Sequence, residues 1–271
     1  MIGHADAFSD GLAAYQRGDY ATALRLFRLA AEQGDAQAQF QIGIMYDNGH
    51  GLAQNHAQAA KWYQMAAEQD HVYAQKNLGF RYRFGQGVPQ DNVKAAKWYQ
   101  MAAKQGDAAS QFNLGVMYAE GKGVPQDDGE AANWYRMAAE QNFKLAQHSL
   151  GQMYQAGRGI PQNHVQAAHW FRLAADQGYA PAQLNLGVIY ANGQGVPQDY
   201  VSAHMWFDLA AASGHEEVQR YWDTVISFMT SDQITEAERL SQEWIAKHQQ
   251  PAPAFSRVPR PRPTSQQPPT S

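Results

Sequence analysis

The 271-residue chain contains no cysteine, which excludes a disulfide scaffold, a thiolate-bound zinc and a cysteine nucleophile. The same absence leaves the compartment open, because a cysteine-free protein folds on either side of a membrane. No run approaches the roughly 20 apolar residues that cross a bilayer as a helix, so no integral membrane segment is expected. The formal charge is −4, and no Lys/Arg-rich run occurs before the C-terminal tail. That argues against a nucleic-acid partner held through its phosphates. There is also no His-Glu-x-x-His, no Gly-x-Ser-x-Gly, no P-loop and no recurring pair of acids, so no catalytic residue, metal ligand or cofactor is predicted. The ten histidines do not change this: His164 and His169 are five apart, His204 stands in an alanine column and His148 is alone in its column. Met1 to Ala7 lacks the basic and apolar regions of a signal peptide, although Ala5-Asp6-Ala7 has the small-x-small form of a cleavage site. The expected location is the cytoplasm for the chain as given, and the periplasm or exterior if a leader precedes it.

What the chain does have is internal repetition. Shifted by 36 residues it aligns with itself without a gap from about Gln37 to Gly214, giving five full copies. The register shows in columns: Gly43, Gly79, Gly115, Gly151 and Gly187; Tyr46, Tyr82, Tyr118, Tyr154 and Tyr190; Trp62, Trp98, Trp134, Trp170 and Trp206. The pair Ala66-Ala67 recurs in every later copy, ending at Ala210-Ala211.

Each copy reads as two helices. The first, about Gln37 to Asn48, carries Ala38, Ile42, Met45 and Tyr46 at helical spacing and stops at a glycine suited to a left-handed C-cap. The loop after it reads Gly-x-Gly-Val/Ile-Pro-Gln-Asp/Asn in the later copies, and Asp91, Asp127, Asn163 and Asp199 are placed to cap the second helix. Second helices end at Asp70, Gly106, Asn142, Gly178 and Gly214. A glycine in the middle of every first helix costs about 1 kcal/mol against alanine, so its recurrence predicts a neighbour too close for a Cβ. The Trp column reads as core.

The expected organisation is a degenerate repeat or cap over 1–36, five repeats over 37–216, two capping helices over 217–250 and a tail over 251–271. The capping helices run from Glu216 to about Met229 and from Asp232 to about His248. The second is introduced by Thr230-x-x-Gln233 as a capping box, with Ile234, Ala237, Leu240, Trp244 and Ile245 on one face. Seven of the twelve prolines lie in the tail with Arg257, Arg260 and Arg262 and no acid, a composition that predicts a disordered or polyproline-like segment. A basic tether to an acidic surface is the functional alternative.

The string Leu78-Gly79-x-x-Tyr82-x-x-Gly85-x-Gly87-Val88-Pro89-Gln90-Asp91-x-x-x-Ala95-x-x-Trp98-Tyr99-x-x-Ala102-Ala103, with its counterparts in the other copies, resembles the Sel1-like repeat family, relatives of tetratricopeptide repeats. The resemblance covers about Gln37 to Gly214. It implies an all-α fold, an α-α superhelix (solenoid) of 36-residue helix-turn-helix repeats with a C-terminal helical cap. It also implies a non-enzymatic scaffold or adaptor for protein or peptide partners. One branch of the family carries a disulfide in each repeat and is associated with β-lactam binding; this cysteine-free chain departs from it. A β-lactam-binding or hydrolase activity, and a periplasmic regulatory or structural role, are the alternatives.

The functional face follows from the helical wheel. Columns 38, 39, 42, 43 and 46 occupy one half of the first helix, and the varying columns 37, 41, 44 and 48 lie opposite. If the first helices line the concave side, as the resemblance implies, partner-binding residues are Gln41, Tyr73, Asn77, Phe80, Phe84, Asn113, Val116, Glu120, Ser149, Gln152, Asn185 and Val188. Tyr73, Phe80 and Phe84 are apolar knobs. Gln41, Asn77, Asn113, Ser149 and Asn185 form a polar row that either pairs with the peptide groups of an extended ligand or bonds the neighbouring first helix.

Overall fold

The computed structural model describes residues 4–215 and 217–248. The tail, and the disorder expected of it, lie outside the described residues. Within them the chain forms helices only. The first pair is α1 (His4–Gln16) and α2 (Tyr20–Ala31), followed by α3 (Ala36–Asn48) and α4 (His56–Ala67), α5 (Val72–Phe84) and α6 (Asn92–Lys104), and α7 (Ala108–Glu120) and α8 (Asp128–Glu140). The array continues with α9 (Lys144–Ala156) and α10 (His164–Asp176), then α11 (Ala180–Asn192) and α12 (Tyr200–Ala212), and closes with α13 (Val218–Ile226) and α14 (Ser231–His248). From α1 to α12 each helix packs chiefly on its sequence neighbours, the contact pattern of a solenoid.

The local chemistry explains the boundaries. Asp91, Asp127, Asn163 and Asp199 cap α6, α8, α10 and α12, each side chain accepting from a first-turn amide. First helices end on glycines with positive φ, such as Gly49 at 70° and Gly85 at 68°. Asp70 and Asn142 take the same left-handed conformation, at φ 60° and 63°, where other copies have glycine.

Two glycine columns have a steric cause. A Cβ on Gly115 would lie 2.7 Å from the Tyr135 ring and 3.3 Å from the Ala131 carbonyl oxygen, so the mid-helix glycine receives an aromatic ring of its partner helix. Phe171 and Phe207 do the same at Gly151 and Gly187. The second glycine of the loop is tighter still. A Cβ on Gly123 would sit 2.1 Å from the Asn92 carbonyl oxygen, at the start of the preceding repeat's second helix, and Gly87 meets His56 in the same way. This loop is a backbone-to-backbone joint between repeats.

Alanines let the helices close: Ala59, Ala66, Ala67, Ala74 and most of their counterparts are fully buried, with Ala211 of the last pair half-buried. The tryptophan column fills the space between successive pairs, as its recurrence beside Tyr63 and Tyr99 leads one to expect. Only Trp206 is fully buried; Trp62, Trp98, Trp134 and Trp170 are half-buried and pack across the junction on the preceding pair, as Trp98 does on the Ala59, Tyr63, Ala74 and Leu78 cluster.

A buried glutamine ladder runs through the array. Gln39, Gln75, Gln111, Gln147 and Gln183 are inaccessible to solvent, and each donates its Nε2 to an alanine carbonyl eight residues back, as Gln111 does to Ala103 at 3.1 Å. The Oε1 of the first four accepts from a second glutamine 30 residues on: Gln69, Gln105, Gln141 and Gln177, at 2.7–2.9 Å. The fifth rung lacks its partner because Ser213 occupies that position, and the Gln183 Oε1 is left buried without a hydrogen bond.

At the C-terminal end α14 packs on α12 and covers the last repeat. The capping box forms: Gln233 Oε1 accepts from the Thr230 amide at 2.9 Å and Thr230 Oγ1 from the Gln233 amide at 3.3 Å. The buried positions of α14 are Ala237 and Ser241, with Ile234, Leu240, Trp244 and Ile245 half-buried beside them. The first capping helix is shorter than the expected Glu216 to Met229, spanning Val218–Ile226.

Candidate functional site

The first helices turn columns 38, 39, 42 and 43 inward and leave columns 37, 41, 44 and 48 half-buried or exposed. On α5 this yields an aromatic stripe. Tyr73, Phe80 and Phe84 are 55%, 44% and 54% exposed, and the Phe80 and Phe84 rings lie 4.6 Å apart between centroids. Basic groups flank it: Lys76 Nζ sits 4.9 Å from the Tyr73 ring and the Arg83 guanidinium 5.3 Å from the Phe84 ring. Arg83 faces Glu120 at 3.8 Å, and Lys122 holds the same carboxylate at 3.0 Å.

Two repeats further on, Ser149 and Gln152 line a cavity of about 270 Å³ with Tyr135, Met153, Ala156 and Arg158. Burial, aided by the Glu120 charge, pushes the Tyr135 hydroxyl up to about 12. It is therefore a neutral group at the cavity wall over the physiological range. Arg158 is held by Asp128 at 2.7 Å.

The polar row divides. Asn113 Oδ1 accepts from Arg83 of the preceding first helix at 3.1 Å, and its Nδ2 donates to the Ala109 carbonyl at 2.9 Å. Asn185 donates to His148 Nε2 of α9 at 3.0 Å. Both bonds join successive first helices, the second of the two roles expected for this row. Gln41, Asn77 and Ser149 are half-buried. Val116 and Val188 are half-buried against hydrophobic clusters, Val188 beside Leu184 and Phe207.

One polar cluster escaped the sequence reading. Arg81 stands in the column of Met45, Met117, Met153 and Ile189 and is only 5% exposed. It pairs with Asp47 of the preceding repeat and donates to the Gln86 carbonyl at 3.1 Å. Asp47 also accepts from Tyr63 at 2.6 Å and contacts His56 Nδ1 at 3.1 Å. Burial and the Asp47 bond raise the Tyr63 hydroxyl far above its ordinary value. The signal was a charge in an apolar column, matched by an acid 34 residues earlier.

Among the described residues no three His, Asp or Glu side chains converge as a metal site, and no serine or threonine hydroxyl is hydrogen-bonded to a histidine. No helix among them is long and apolar enough to cross a membrane. The arrangement offers aromatic anchors, paired charges and a small, mainly apolar cavity with a few polar groups, which suit binding.

The Sel1 repeat model matches residues 1–35, 36–71, 72–107, 108–143, 144–179 and 180–215. The chain belongs to the Sel1 repeat family. The N-terminal pair, read from the sequence as a degenerate repeat or cap, is matched as the first of six Sel1 repeats. A Sel1 repeat protein from Oxalobacter formigenes is similar in structure, with a TM-score of 0.77 at 30% identity over 89% of this chain and 98% of that one. A protective antigen of uropathogenic Escherichia coli strains that displays the same repeat fold matches at 29% identity and a TM-score of 0.44, over 91% of this chain and 69% of that one. No curated protein matches the chain. Sel1 repeats in general mediate protein–protein interaction.

Proposed function

We propose that this Sel1 repeat chain is a non-enzymatic adaptor that binds a protein or peptide along the concave face formed by its first helices. The observation that carries the reading is the α5 stripe. Three large aromatic side chains at i, i+7 and i+11 of one helix are left about half exposed in a molecule whose other aromatics are mostly packed. Contiguous exposed apolar surface of this kind marks interaction sites, and aromatic side chains dominate the energetics of such contacts. The partner's apolar residues rest on Tyr73, Phe80 and Phe84, while the Arg83–Glu120–Lys122 group supplies polar contacts at the edge. Ser149, Gln152 and Tyr135 offer a cavity sized for one small side chain further along.

The test is site-specific photo-cross-linking in a lysate, with the reactive residue placed at Phe80 or, as control, at Lys61 on the exposed face of α4. A partner trapped from position 80 and not from position 61 supports the assignment. Trapping from position 61 alone means the binding face lies on the second helices.

A further inference from the structure

The C-terminal cap departs from the repeat by placing polar groups beside an aromatic cluster, with the His204 and Trp222 rings edge to face at 5.3 Å. Between α12, α13 and α14 lies an open cleft of about 580 Å³ whose wall includes Asp208, Trp222, Glu238, Ile245 and Arg239, the last already paired with Glu236 and Glu243. Asp208 replaces the glutamine or arginine of the earlier copies, and His204 replaces an alanine. Asp208 Oδ1 and the Trp222 indole Nε1 are both inaccessible and unpartnered. His204, 1% exposed, brings its Nδ1 within 3.3 Å of Asp208 Oδ1, but without the alignment of a hydrogen bond. A buried carboxylate oxygen without a hydrogen bond beside an aromatic wall is what a cationic ligand leaves open.

Charge and covalent connection point to the occupant. From Asp208 to His248 the sequence has eight acidic residues against three basic ones, whereas the tail from Pro251 to Ser271 has three arginines and no acid. Arg257 follows the end of α14 by only nine residues, which reach roughly 28 Å when extended as polyproline at about 3.1 Å per residue. Ile245, on the cleft wall, lies one turn before the end of α14. The run Pro259-Arg260-Pro261-Arg262-Pro263 pairs rings suited to an aromatic groove with guanidinium groups suited to carboxylates. We infer that the proline- and arginine-rich tail folds back onto its own C-terminal cap, its arginines on Asp208 and Glu238 and its prolines against Trp222.

Because the chain has no cysteine, Val258→Cys in the full-length protein takes a single bimane label, whose fluorescence tryptophan quenches at short range. The expected result is quenching that is lost in Trp222→Phe, weakened in Asp208→Asn with Glu238→Gln, relieved by about 0.5 M salt, and independent of protein concentration. The variant Arg257→Gln, Arg260→Gln, Arg262→Gln changes nothing in the helical part, and it too abolishes quenching. Quenching that survives Trp222→Phe or the arginine variant overturns the inference. Quenching that grows with protein concentration also overturns it, placing the tail on a second copy.

Discussion

A single serine marks where the glutamine ladder stops. In four repeats the inner glutamine donates to an alanine carbonyl of the preceding repeat and accepts from the second glutamine of its own, while Gln183 has only the first of these bonds. An unsatisfied buried acceptor costs about 1–3 kcal/mol, more than a formed hydrogen bond returns. Ser213→Gln is therefore expected to stabilise the chain by about 1 kcal/mol, since it restores the missing donor at the cost of the Ser213 bond to the Leu209 carbonyl at 3.0 Å. A urea melt reads this directly, and an unchanged or lower midpoint would show that the last rung differs from the others. His148 gives a second prediction at this scale. Burial lowers its imidazole to about 4, and its Nε2 accepts the Asn185 amide, so the folded form holds it neutral. The unfolded chain takes up that proton near pH 6.5, so this contribution is complete above about 6.5 and is lost as pH falls toward 4, by on the order of 2–3 kcal/mol. His71, also lowered by burial, acts in the same direction. His148→Leu should flatten the dependence of the urea midpoint on pH across this window; a profile as steep as that of the parent chain would assign the slope to other groups.

For the helices, the sequence was readable wherever a requirement recurred. Caps, left-handed termini and the close approach at the glycine column all repeat every 36 residues, so each was visible five times over. The close neighbour at Gly115 is the Tyr135 ring in addition to the backbone of α8, and Gly115→Val must displace both. It is expected to destabilise by about 2–4 kcal/mol, combining overpacking with poor helix propensity. Denaturant unfolding tests this, and a neutral result would mean that the ring moves aside freely. Features that occur once were harder to read. Arg81 and Asp47 form a pair only because two helices bring positions 34 residues apart together, and nothing in either local sequence requires the other. The glutamine ladder was hidden for a different reason: both of its columns were present, but helical periodicity places residues on faces and does not show which amides meet.

Over the whole molecule, the order of the array was legible because each repeat touches only its neighbours, so translation along the sequence maps onto translation in space. Recognition is less legible, since the varying columns serve two purposes. Asn113 and Asn185 tie adjacent first helices together and the Tyr73 ring rests on Phe40 of α3, whereas Phe80 and Phe84 pair only with each other on α5. The double change Phe80→Ala, Phe84→Ala should therefore weaken binding of a cross-linked partner by roughly 10–100-fold, as loss of two aromatic anchors does. Thermal stability should hold. Lys61→Ala with Gln64→Ala, both exposed on α4, should bind as the parent chain does in the same titration. Equal affinity in the two variants would remove the α5 stripe from the interface.

The joint at the second loop glycine separates form from recognition. Because Gly87 and Gly123 rest on the carbonyls of His56 and Asn92, the angle between successive repeats is fixed by main chain meeting main chain. Phe84 and Gln152, in the exposed columns, take no part in that joint. An inherited change at Phe84 or Gln152 can thus alter what is bound while the pitch of the array stays as it was, and duplication of a whole 36-residue unit lengthens the surface with the same joint repeated. Such a protein changes its choice of partner by point substitution and its reach by copy number, with each adjustable alone.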